Sequence, residues 1–111
     1  MKRALLITTC LLLAGLAPAR ADDIKAAWEK DCQKCHGPDG KGDTKMGKKV
    51  EVKDYTDPVV QAAMKDDEMA KAIKEGIKDK DGKVRMKGYG ETLTDEQVKA
   101  LVAYVRTFKK S

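Results

Sequence analysis

Long hydrophobic runs are nearly absent from this chain. The one exception, Ala4 to Leu16, is broken only by Thr8, Thr9 and Gly15, follows Lys2 and Arg3, and gives way to Ala19-Arg20-Ala21. A positive start, a short apolar centre and small residues at the positions read by a signal peptidase predict a secretory signal peptide over residues 1–21. The run is too short and wrongly flanked for a membrane span. Residues 22–111 are therefore expected to form one exported domain, periplasmic in a bacterium, with no transmembrane segment after cleavage.

Beyond residue 21 the chain has one histidine, His36, and two cysteines, Cys32 and Cys35; Cys10 lies inside the leader. A tetrahedral Cys/His zinc site needs four ligands, which these residues do not supply. Net charge gives no stronger lead. The formal +5 includes Lys2, Arg3 and Arg20, so 20 basic residues remain against 18 acidic ones, a balance of +2 that does not argue for nucleic acid. Large apolar side chains are also scarce. Leu, Ile, Val and Phe number 14 after residue 21, below the roughly 20% of residues under which disorder is expected. The segments are nevertheless well patterned and capped, so a bulky apolar cofactor is expected to complete the core.

Ile24, Ala27, Trp28, Asp31, Cys32 and Cys35 recur at helical spacing and predict a helix over about 23–35, with Asp22 or Asp23 as its cap. Gly37, Pro38, Gly40 and Gly42 end it, and 41–53 reads as a polar loop. Asp57-Pro58 predicts an N-cap and first turn for a short helix to Met64. Asp66 opens a third helix that Gly76 closes, and 77–92 reads as loop. Thr94-Asp95-Glu96-Gln97 is a capping box for a last helix to about Lys109, with Val98, Leu101, Val102, Val105 and Phe108 on its apolar face. The fold class is all-α: three or four short helices joined by long loops. Loops of that length make sense when they wrap a ligand.

The chemistry concentrates in "DCQKCHGPDGKG", residues 31–42. A redox C-x-x-C belongs at the start of a helix, where the dipole lowers a thiol pKa, whereas this one lies at the end of a helix with no strand before it. C-x-x-C-H is the attachment motif for haem c. Its spacing sets two thiols about one helical turn apart, as two vinyl groups of one porphyrin require, and the next residue offers an imidazole to the iron. Cys32 and Cys35 are the expected covalent anchors of one haem, and His36 its proximal ligand. With no second histidine, methionine is the expected sixth ligand. Met46 lies in a charged loop, and Met64 and Met69 lie on amphipathic helices where core packing is the ordinary use. Met86, in "KVRMKGYGETLT", lies 50 residues past His36 in a glycine-rich loop that lets its sulfur turn toward the iron.

The leader, Cys32-Gln33-Lys34-Cys35-His36-Gly37, the following Asp39-Gly40-Lys41-Gly42, and Met86 ahead of "LTDEQVKALVAYVR" resemble a small class I c-type cytochrome over nearly all of residues 24–109. That resemblance implies the cytochrome c fold, its first and last helices crossing beside one haem. It implies His36–Met86 coordination and a single-electron carrier rather than an enzyme, acting as a monomer between redox partner proteins. A five-coordinate haem sensor or haem enzyme with an open sixth position is the alternative. Lys83, Arg85 and Lys87 beside Met86, and Lys34, Lys41 and Lys45 beside the attachment motif, are expected to favour acidic partners. Two family features are missing: Lys87 stands where a proline usually follows the ligand methionine, and no proline lies about a dozen residues past His36 to offer a carbonyl to its Nδ1.

Overall fold

Ile24 and Trp28 lie one helical turn apart and face the same way, and the first helix forms around them. In the computed structural model, which describes residues 20–110, α1 spans Ala21–Ala27 and runs directly into a π-helical turn, Trp28–Cys32, and then α2, Gln33–His36. The helix is thus three residues longer than its periodicity predicts, and neither aspartate caps it: Arg20 holds the N-cap position, with Asp22 and Asp23 in the first turn. The π turn is a change of hydrogen-bond register, Gln33 N–H reaching Trp28 O, and such a change leaves no mark on an apolar repeat.

Residues 41–53, expected as loop, contain a helix, α3, Lys45–Val50. Thr44 caps it by accepting from Gly47 N–H at 2.8 Å, and Glu51 ends it in the left-handed region. α4, Pro58–Ala63, starts where Asp57-Pro58 predicts, with the Asp57 carboxylate accepting from Val59 N–H at 2.8 Å. α5, Asp66–Glu75, puts Asp66, Asp67 and Glu68 in its first turn, where carboxylates favour the positive end of the helix dipole; Lys65, not Asp66, occupies the cap position. The expected loop after it contains an antiparallel hairpin of β1, Ile77–Lys78, and β2, Val84–Met86, with Ile77 opposite Met86. Its turn is held by Asp79 Oδ1, which accepts from Asp81 and Lys83 N–H at 2.9 Å each. α6, Asp95–Arg106, has the predicted capping box in both directions.

The core lies where α1 crosses α6. Ile24 and Trp28 pack with Val98, Leu101, Val102 and Val105, all buried, and the Trp28 ring meets Phe108 at 5.0 Å and Tyr104 at 5.5 Å. α4 is fastened to α6 by polar contacts. Gln61, 3% exposed, donates to Tyr55 O at 2.7 Å and Val105 O at 2.9 Å. Arg106 donates to Gln61 O and Met64 O at 2.6 Å each and pairs with Asp66 at 2.8 Å. The signal peptide expected over 1–21 lies almost wholly outside the described residues.

Candidate functional site

The C-terminal end of α2 leaves carbonyls without helical partners, and the loop that follows turns back to supply them. Gly42 N–H donates to His36 O at 2.8 Å, and Thr44 Oγ1–H donates to Cys35 O at 2.7 Å. Trp28 Nε1–H reaches across to Gly37 O at 3.0 Å. These contacts fix the backbone of the attachment motif from three directions.

His36 is 8% exposed, and burial holds its pKa down at about 4, so its imidazole is neutral at physiological pH with a lone pair available. Its ring lies parallel to that of Tyr55 at 5.1 Å and tilted against Trp28 at 5.6 Å. Its Nδ1 is buried and has no hydrogen-bond partner. A buried polar atom left unpaired costs about 1–3 kcal/mol, and Nδ1 is the nitrogen for which no proline carbonyl stands about a dozen residues on. Cys32 and Cys35 are half-buried free thiols. Burial, with Asp31 and Cys35 close by, pushes the Cys32 pKa up to about 12. It is therefore a neutral thiol at pH 7, the reverse of the activated thiolate a redox C-x-x-C needs. Among the described residues, no group of three or more His, Cys, Asp or Glu side chains is placed to hold a metal ion.

His36 forms part of the wall of a cavity of about 370 Å³, shared with Tyr55, Met64, Met69, Ile77 and Met86. A smaller recess of about 60 Å³ is lined by His36, Tyr55, Met69 and Met86 again, together with Trp28, Cys32, Ile73 and Leu101. The structure therefore brings Cys32, His36 and Met86 to one apolar space. Cys35 lies next to His36 on α2 but lines neither cavity. Met46, on α3, lines neither. Met64 and Met69, expected as ordinary core residues, face the same cavity as Met86. Met69 shares a helical face with Ala72 and Ile73, while Met64 reaches the cavity from the end of α4, so only the tertiary arrangement brings them together.

Met86 ends β2 instead of sitting in an open loop, and the chain after it is docked on the end of α5. Tyr89 N–H donates to Ile73 O at 2.8 Å and Gly90 N–H to Lys74 O at 3.0 Å. Gly76, at φ +79°, leaves no room for a Cβ against Met86 O, so the strand can lie directly on the helix end. Lys34, Lys41, Lys45, Lys83, Arg85 and Lys87 are all exposed. Of these, Arg85 pairs with Glu51 at 3.1 Å and Lys87 Nζ lies 5.8 Å from the Tyr89 ring centre.

A neutral buried imidazole, two free thiols on the same helix, and the Met69 and Met86 thioethers around an apolar recess form a donor set that fits a covalently held haem. Comparison with known proteins bears on the same point. The family model described as cytochrome c oxidase, cbb3-type, subunit III matches residues 19–105. The solved structure of the KustC0563 c-type cytochrome is 35% identical with a TM-score of 0.67, covering 78% of this chain and 96% of that one. A tyrosine-to-phenylalanine mutant of that protein is 34% identical with a TM-score of 0.66, covering 78% of this chain and 99% of that one. No curated protein matches the chain.

Proposed function

The chain belongs to the c-type cytochromes, within the family of the cbb3-type oxidase subunit III domain, and we propose that it is a periplasmic single-electron carrier. Membership implies the cytochrome c fold, a haem cofactor and haem-based electron transfer to and from redox partners. In our reading one haem is bound covalently through Cys32 and Cys35, with His36 and Met86 as the axial ligands. One observation carries it: a buried, unpartnered, neutral imidazole directly after the second cysteine of the motif, in the wall of a cavity that Met86 also lines.

When bound, the haem supplies a one-electron ferric–ferrous couple. The chain's own residues do the rest. His36 is neutral before it binds, so no proton must leave for its lone pair to be used. Met86 offers a thioether, a soft donor that favours ferrous over ferric iron and raises the potential. Trp28, Tyr55, Met69 and Leu101 line the recess beside His36 and Met86, and its low polarity further disfavours the additional charge of the oxidised state. The exposed lysines around the motif and the hairpin favour an acidic docking face on the partner. The leader supports export, and among the described residues no helix is long and apolar enough to cross a membrane. We read the chain as a monomer. The family's description also favours a second reading, in which the same domain serves inside an oxidase complex; this changes the partner and leaves the chemistry alone.

The test is an absorption spectrum of protein exported with its haem-maturation machinery, oxidised and reduced, beside Met86→Ala. A sharp low-spin reduced spectrum, with a far-red oxidised band that disappears in Met86→Ala, is expected. A high-spin spectrum that shifts on adding carbon monoxide would mean an open sixth position and favour the sensor or enzyme alternative.

A further inference from the structure

Tyr89 uses all three of its polar groups, and each reaches a different part of the fold. Its N–H donates to Ile73 O in α5 at 2.8 Å. Its carbonyl accepts from Thr92 and Leu93 N–H, at 3.1 and 2.9 Å, on the approach to α6. Its hydroxyl donates to Asp31 O at 3.1 Å, across 58 positions of sequence. Asp31 lies in the π turn and directly precedes Cys32, while Tyr89 follows Met86 by three residues. Among the described residues this is the one hydrogen bond between segment 77–90 and helix 21–36. It joins the chain that brings Met86 to the cavity to the chain that brings the cysteines and His36.

Apart from the exposed Arg85–Glu51 ion pair, which reaches the end of α3 and is worth little in solvent, the other fastenings of this segment run to α5. Tyr89 and Gly90 N–H bond its last carbonyls, and Gly88 lies so close to Glu75 that a Cβ would come within 2.7 Å of its carbonyl carbon. They hold the segment to a helix that bears none of the anchor residues. Lys87 also leaves the residue after Met86 without the rigidity a proline would supply. A restraint between the two walls that supply Cys32, His36 and Met86 must therefore come from elsewhere.

We propose that Tyr89 is a positioning residue for Met86: its hydroxyl, bonded to Asp31 O, ties the Met86 segment to the cysteine-bearing helix and resists displacement of the thioether. This rests on the reading of Met86 as axial ligand. An external ligand can reach the iron only when the Met86 segment moves away, so its apparent affinity reports how easily that segment opens. Removing one neutral hydrogen bond, worth roughly 1 kcal/mol, makes opening about fivefold easier.

The experiment is an imidazole titration of the oxidised holoprotein, followed by loss of the far-red band, in wild type, Tyr89→Phe, Tyr89→Leu and Asp57→Ala. Tyr89→Phe keeps the ring and should bind imidazole about fivefold more tightly than wild type; Tyr89→Leu should show at least that gain and serves if Tyr89→Phe fails to mature. Asp57→Ala removes the α4 cap, on a different helix, and should lower thermal stability while leaving imidazole affinity unchanged. Wild-type affinity in both Tyr89 variants, or an equal rise in Asp57→Ala, overturns the proposal while the ligand reading stands. A wild-type protein with no far-red band overturns the ligand reading itself, and this inference falls with it.

Discussion

Replacing Gly47 by alanine sets two effects of opposite sign against each other. Gly47 is inside α3 with helical backbone angles, so propensity alone favours alanine by up to about 1 kcal/mol. Against this, an added Cβ would fall far closer than 3.0 Å to Cys35 O, 2.5 Å from Gly42 O and 2.8 Å from Thr44 Oγ1. Two of these atoms are backbone and cannot rotate away. The third is held at both ends, donating to Cys35 O at 2.7 Å and accepting from Gly47 N–H at 2.8 Å. Relief requires α3 to lift from the attachment motif, which breaks both bonds at about 1 kcal/mol each, on top of about 1–3 kcal/mol of overpacking. The clash wins, and we expect Gly47→Ala to lose roughly 2 kcal/mol or more, a fall in Tm of about 8 °C or more for a domain this size. Thermal unfolding of the purified holoprotein by circular dichroism measures it. Gly82→Ala is the control: Gly82 has φ +80° but nothing within 4 Å, so the strain of a left-handed alanine, about 1 kcal/mol, is its whole cost. A Tm for Gly47→Ala at or above wild type would show that α3 yields freely, and would refute the view that it clamps the motif.

Gln61→Ala should lose about 3 kcal/mol, because it leaves Tyr55 O and part of Arg106 without a partner inside the protein as well as deleting three hydrogen bonds; a loss under about 1 kcal/mol in urea unfolding would contradict this. The Thr56 hydroxyl, bonded at 2.6 Å, is the main cause holding the Asp54 carboxyl below its ordinary 3.8. That contribution is present above the unfolded-state value and is lost as pH falls through the folded one, so Asp54→Asn should flatten the dependence of Tm on pH below about pH 4. In the double variant Cys32→Ala/Cys35→Ala, which removes both proposed anchors, amide exchange should accelerate in α5 and the hairpin well before α6; equal loss of protection everywhere would refute the assignment of α5 to the cavity wall.

What could be read ahead of the structure follows from how local each signal is. The α4 and α6 starts are set by side chains two or three residues from the groups they cap, Asp57 to Val59 and Thr94 to Gln97, and both were legible. The apolar stripe of α6 was legible because its four inward positions, Val98, Leu101, Val102 and Val105, repeat at helical spacing and are all buried. Cys32, Cys35 and His36 are adjacent in sequence, so their grouping needed no tertiary knowledge. α3 was missed because its cap is a threonine whose hydroxyl also serves Cys35, and only Met46 and Val50 among its residues are large and apolar. The hairpin was missed because strands of two and three residues are too short for an alternation to register. The convergence of Met64, Met69 and Met86 on one cavity depends on how α4, α5 and β2 are placed, which no spacing encodes.

The division of apolar residues between the two halves of the molecule ties the scarcity of large side chains to the site. α6 buries Val98, Leu101, Val102 and Val105 against protein, and with Ile24 and Trp28 these six make up the whole set of buried core hydrophobics among the described residues. α5 is nearly as long and strongly amphipathic, yet none of its residues is buried. Its inward side chains, Met69, Ala72 and Ile73, stop at the cavity, as do Ile77 and Met86 of the hairpin. α5 is held to α6 mainly by exposed ion pairs, Lys74 with Asp95 and Asp66 with Arg106, and at ten residues it is too short to be stable by propensity alone. The α5–hairpin half therefore needs a large apolar partner more than the α1–α6 half does. On the proposed reading, a porphyrin held by Cys32 and Cys35 would supply that partner to the half that lacks one. On that reading the haem would be a structural member of the fold as well as its redox centre, and the thinly packed wall that would accept it is also the wall that carries Met86.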